Sequence, residues 1–154
     1  MAGRFGWTLT DALNVDYVFR WTDGETELDN FGADSLTREL FTSQFFQRIQ
    51  AQSLLWDGAL EQKFGFSFTD FSCEDTQPGF GQPRFDGQTQ QLDYQMNLLL
   101  SDNNTLTAGV DYLHEQASST ATRLQSQHNT GVYLQDQIRL AERWFTTVGV
   151  RWDD

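Results

Sequence analysis

Lysine occurs once in 154 residues, at Lys63, cysteine once, at Cys73, and proline twice. A single cysteine excludes a disulfide framework and a cysteine-based zinc site. With no base beside it, Cys73 reads as an ordinary loop thiol. Positive charge is scarce too: ten Lys and Arg stand against 22 Asp and Glu, a formal net charge of −12. Phosphate backbones are held by clustered Lys and Arg, so no nucleic-acid partner is expected. Long apolar runs are also missing. Leu98-Leu99-Leu100 is the most notable cluster, far short of the ~20 residues of a membrane helix. Met1 to Phe5 hold no signal-peptide core, so an export signal is expected elsewhere or already removed.

What is present is alternation. Leu92, Tyr94, Met96, Leu98 and Leu100 interleave with Gln91, Asp93, Gln95, Asn97 and Leu99. After Ser101-Asp102-Asn103-Asn104 the pattern returns with Leu106, Ala108, Val110 and Tyr112. Period two around an Asx-rich turn predicts a β-hairpin. Each arm runs about 10 residues, roughly 23 Å at a 45° tilt, close to the ~25 Å apolar belt of an outer-membrane barrel. The mean hydropathy of −0.54 does not oppose this, because only alternate strand positions of such a barrel meet lipid.

The same pattern extends along the chain. Phe5, Trp7 and Leu9 suggest a strand stub over 4–10. Leu13, Val15, Tyr17, Phe19 and Trp21 share one face of the next strand, with aromatics toward its far end. A strand from about Arg38 to Leu55 leads through Trp56-Asp57-Gly58 into Leu60, Phe64, Phe66 and Phe68, with Asp-Gly as the hairpin dipeptide. Val132, Leu134, Ile138 and Leu140, then Trp144, Thr146, Val148, Val150 and Trp152, complete seven full strands plus the stub, with no helix. Connections alternate between short (10–12, 56–59, 101–104, 141–143) and long (23–37, 71–88, 116–127). That sorting is expected of short periplasmic turns and long extracellular loops. Asp136 falls on the apolar face, which requires either a place near an interface or a bulge in its strand.

Motifs for chemistry are few. His114 and His128 have no Ser or Cys partner at motif spacing and read as strand-end or loop histidines. Gly79-Phe80-Gly81 opens no helix, so no phosphate loop is expected, and no enzyme is inferred. In the first long loop Asp23, Glu25, Glu27 and Asp29 offer hard oxygens at alternate positions, a donor type that suits calcium. A solvated acidic loop is the alternative. Phe31, Phe80, Arg84 and Arg123 are the loop side chains expected to contact a ligand.

Three stretches carry a family resemblance. Gly131 to Leu140, with Tyr133-Leu134-Gln135-Asp136, is followed by Arg143 to Asp153, with Gly149-Val150-Arg151-Trp152-Asp153. Thr105 to Tyr112 repeats the strand type. Together they resemble the barrel of TonB-dependent outer-membrane receptors, nearest in look to the cobalamin and siderophore branches. The resemblance implies an all-β fold, an antiparallel meander of long strands belonging to a transmembrane barrel of about 22 strands closed by a plug. Residues 1–154 are then one partial barrel domain without plug or TonB-contacting segment. The implied function is uptake of a scarce ligand such as cobalamin or an iron-siderophore. The implied partners are outer-membrane lipid, that small molecule and, through parts outside this chain, TonB. Calcium in extracellular loops is known in the cobalamin branch. Two other readings stand beside this one. The first is a small closed eight-stranded barrel that uses 4–10 as its eighth strand and has a structural or adhesive role. The second is a soluble lipocalin-like barrel with its apolar face turned inward.

Overall fold

The computed structural model describes residues 1–29, 35, 37–76, 82–141 and 143–154. Its elements are eight strands, β1 (Ala2–Thr10), β2 (Leu13–Glu27), β3 (Glu39–Leu55), β4 (Leu60–Asp75), β5 (Arg84–Ser101), β6 (Asn104–Ser119), β7 (Gln125–Leu140) and β8 (Trp144–Asp153). They form one antiparallel sheet in sequence order, β1 to β8. The N-terminal stretch is therefore a full strand rather than a stub. Among the described residues β1 and β8 do not pair, so both are free edges and the closed eight-stranded barrel is not formed.

Register explains the alternation. Directly opposed residues share a face. One row across all eight strands reads Trp7, Val15, Ala51, Phe64, Tyr94, Val110, Val132 and Trp152. The adjacent row, on the opposite face, reads Gly6, Asp16, Gln50, Gly65, Asp93, Asp111, Gly131 and Asp153. A one-residue step along any strand thus exchanges hydrocarbon for carboxylate, amide or glycine.

Among the described residues, neither face is covered by protein. Leu60 is the one buried hydrophobic residue among those described, and no side chain is fully enclosed. Phe64 and Ile49, in the middle of the sheet, are 47% and 45% exposed. A lipocalin-like barrel would converge these groups on a dry interior, so that reading fails. Large apolar groups left open at this scale need a nonaqueous solvent, and hydrocarbon supplies it.

The strands outrun the apolar belt. At a tilt near 45° and ~3.3 Å per residue, the 18 residues of β5 rise about 42 Å. Consequently the long connections shrink to 28–38, 76–83 and 120–124. Asp23, Glu25 and Glu27 belong to β2, not to a loop, and Arg84 opens β5. Hydrophobic alternation stops above the belt while the backbone ladder continues, through Thr26↔Leu40 and Phe85↔Ser119. The short turns all fall at the opposite end, as expected. In the 56–59 turn the left-handed residues are Trp56, Asp57 and Gly58, with φ of 54°, 55° and 90°. Gly58 N donates to Leu55 O at 3.1 Å and Ala59 N to Trp56 O at 3.0 Å, so two overlapping turns centre on Trp56-Asp57 and on Asp57-Gly58. Asp136 has regular register with Leu106 and Val148, so no bulge moves it; it sits on the outer face near the short-turn end.

Candidate functional site

The polar face is built from side chains that lie flat along the wall. Arg48 on β3 reaches across β4 to Asp93 on β5, with Nη1–Oδ1 at 2.8 Å and Nη2–Oδ2 at 2.9 Å. Gly65 lies beneath it, and a Cβ there would collide with both partners. Arg151 on β8 crosses Gly131 of β7 to Asp111 on β6, donating from Nη2 at 2.9 and 3.0 Å, and also grips Asp153. Tyr133 on β7 crosses Gly109 of β6 and donates its hydroxyl to Gln95 on β5 at 3.0 Å. The Arg151 guanidinium carbon stands 5.9 Å from the Tyr133 ring centroid. Three glycines thus open three shallow channels, each roofed by a side chain tying strands two apart. The outcome is a charged surface with little relief. Lower on the same face Glu61 takes hydrogen bonds from Gln52 and Asn97 and pairs with Lys63.

Toward the loop end the polar face changes character. Phe71 and Phe85 meet with ring centroids 6.1 Å apart and planes at 58°. Gly87 stands opposite Phe71, and the Phe85 ring lies 3.5 Å from where a Cβ of Gly87 would be. Together with Thr69, Glu115 and Gln127 they line a concavity of about 590 Å³. Gln127 donates to the Glu115 carboxylate at 2.6 Å. Phe46 shares this face, opposite Thr69. Aromatic surface beside fixed polar groups is the usual makeup of a small-molecule site.

Sequence reasoning missed this patch, because Phe46, Phe71 and Phe85 occupy the polar phase of their strands. That phase error was the available signal. Of the expected contact residues, the two described ones, Arg84 and Arg123, lie elsewhere. Phe31 and Phe80 fall outside the described residues. Arg84 sits on the outer face opposite Glu74 and is paired with Asp86 at 2.9 Å. Arg123 is exposed in the 120–124 connection. Arg48 and Arg151, which roof the wall, and Arg38, which flanks it, were not among the expected ligands.

The structure does not gather the four expected calcium donors into one cluster. Asp23, Glu25 and Glu27 stand at alternate positions along one strand, β2, rather than around a loop. Asp23 already accepts from Trp21 Nε1 at 2.7 Å and Ser43 Oγ at 2.8 Å. Among the described residues no group of three or more His, Cys, Asp or Glu gathers for a metal. Asp29 instead offers its backbone carbonyl to Arg38, which clamps the loop base through a 2.6 Å pair with Asp75. That hydrogen-bonded pairing raises the Arg38 pKa above its ordinary value.

The family described as "TonB dependent receptor-like, beta-barrel" matches residues 2–154. A search of curated protein sequences finds no match. Among solved structures, the siderophore receptor PirA from Pseudomonas aeruginosa superposes with a TM-score of 0.82 at 16% identity, over 99% of this chain and 26% of that one. The FrpB iron transporter from Neisseria meningitidis gives 0.81 at 12% identity, over 97% of this chain and 30% of that one. A mutant of the ferric enterobactin receptor PfeA from Pseudomonas aeruginosa gives 0.77 at 14% identity, over 99% and 28%. The chain therefore spans between a quarter and a third of the length of these three structures.

Proposed function

The chain belongs to the TonB-dependent receptor β-barrel family, and from that premise we propose that it forms a ligand-facing stretch of wall in an uptake channel for a small iron-siderophore. As a barrel segment of that family it resides in the bacterial outer membrane, its apolar rows against lipid. The observation that carries the proposal is the inward aromatic patch of Phe71 and Phe85 above a wall of flattened ion pairs. A bulky polar solute meets adhesive aromatic surface near the loop end and then a wet, low-relief passage without apolar traps. Iron-siderophores are favoured over cobalamin because the structures of similar fold are described as siderophore and iron receptors.

The test uses the receptor that contains this segment, with ferric catecholate and ferric hydroxamate siderophores and cyanocobalamin as probes. Binding is read by fluorescence quenching and uptake by radiolabelled iron or cobalt. The Phe71→Ala/Phe85→Ala pair is expected to weaken binding of one ferric siderophore about tenfold or more, since two aromatic contacts of ~0.5–1.5 kcal/mol each are lost. Unchanged binding removes the patch from the proposal. Uptake of cyanocobalamin alone overturns the iron class.

A further inference from the structure

One pair of side chains on the outer face is used neither by lipid contact nor by the inward wall. His114 of β6 and His128 of β7 are directly opposed within their strands, not at strand ends or in loops. They occupy the row above Leu92, Tyr112 and Thr130, where apolar side chains give way to Gln88, Gln90, Gln116 and Ser126. Directly opposed positions put Cβ atoms ~4.5–5.5 Å apart, a span two imidazoles can close on one ion with metal–nitrogen bonds of about 2.0–2.1 Å. Gln116 Nε2 lies 2.9 Å from His114 Nε2; the neutral ring that accepts at this nitrogen presents the lone pair a metal ion uses. His128 stacks on Tyr112 with centroids 6.4 Å apart and planes at 27°. Tyr112, the four residues above and Thr130 face the pair without charge. Asp154, joined to Thr130 by two backbone hydrogen bonds of 3.0 Å, brings a carboxylate diagonal to His128.

We propose that His114 and His128 form a two-imidazole site for a divalent transition-metal ion on the outer face, at the upper edge of the apolar belt. The ion takes the lone pair that Gln116 now engages, and water completes its coordination. Imidazole suits copper, nickel and zinc, with copper bound most tightly. A bound ion would bridge β6 and β7 above the lipid-embedded rows.

The receptor containing this segment, in detergent, is titrated with Cu²⁺ and followed by calorimetry and electron paramagnetic resonance. Wild type is compared with His114→Gln, His128→Gln and the double variant, glutamine being the residue type already surrounding the site. The wild type is expected to bind one Cu²⁺ more than the double variant. Each single variant should weaken that site by more than about tenfold, the loss already seen when only an outer-shell partner is removed, and reduce its signal from two coordinated nitrogens to one. Equal stoichiometry and affinity in the double variant, or an unchanged signal in the singles, overturns the site. As a measurement independent of the variants, Zn²⁺ should protect both histidines of the wild type from acylation by diethyl pyrocarbonate; equal labelling with and without Zn²⁺ also overturns it.

Discussion

At the scale of single residues, the wall depends on what glycine omits. Gly65 and Gly131 have ordinary extended backbones, so their value lies in an absent Cβ beneath an arginine. Alanine at either position forces the guanidinium, the far end of a flexible side chain, to shift on the wall. Gly65→Ala is expected to destabilise the barrel by about 1 kcal/mol, the scale of a solvent-accessible ion pair, measured as a lowered urea midpoint in detergent; the double variant with Arg48→Gln should recover part of that loss. Asp136 acts in the opposite direction. Its Oδ1 is enclosed without a hydrogen-bond partner, on the face that meets lipid. Asp136→Leu should raise stability by about 1 kcal/mol, below the ~2–4 kcal/mol scale of cations at the bilayer midplane because Asp136 lies toward one end. The anomaly of Asp136 was legible in the sequence; the glycine channels were not. Arg48 and Asp93 are 45 residues apart, Arg151 and Asp111 are 40 apart, and only register brings them together.

At the scale of elements, strand existence and face were readable from alternation, and strand length was not. Alternation of hydrophobicity reports contact with lipid, so it ends where the belt ends. Backbone pairing needs no lipid and goes on: Asp23, Glu25 and Glu27 are still in register with Ser43, Phe41 and Glu39. Polar alternate residues above the belt therefore resembled loop. The same reasoning explains the shortening of 116–127 to 120–124. Amide hydrogen exchange should show slow exchange extending through Thr26 and Leu40, comparable to Tyr17 and Ile49; rapid exchange above Trp21 would return that stretch to loop. At the other end, Gly58 has a φ of 90° with nothing near its missing Cβ. Gly58→Ala is expected to cost about 1–2 kcal/mol through backbone strain alone, without altering any contact, which distinguishes it from Gly65→Ala in a double-variant cycle.

At the scale of the whole molecule, the decisive arrangement is that two adjacent rows of one sheet belong to two solvents. Trp7 through Trp152 is a continuous hydrocarbon row, and Gly6 through Asp153, one residue along, a continuous hydrophilic one. With β1 and β8 unpaired, the sheet has no enclosed core to stabilise it, and its unpaired edge groups cost several kcal/mol each in lipid unless further strands cover them. The two-solvent assignment has a direct test in the receptor that contains this segment. Cys73 lies on the inward face opposite Phe85 and Thr42, so it is first replaced by serine. Single cysteines are then placed at Phe64 and Val110 on one row and at Gln50 and Asp111 on the other. A membrane-impermeant maleimide should label Gln50→Cys and Asp111→Cys in intact outer membranes and spare Phe64→Cys and Val110→Cys. A bilayer-soluble spin quencher should show the reverse preference when the same sites carry a fluorophore. Labelling of Phe64→Cys by the impermeant reagent would mean that its row faces water. The flattened ion pairs would then line no passage, and the aromatic patch of Phe71 and Phe85 would lose the channel that gives it a role.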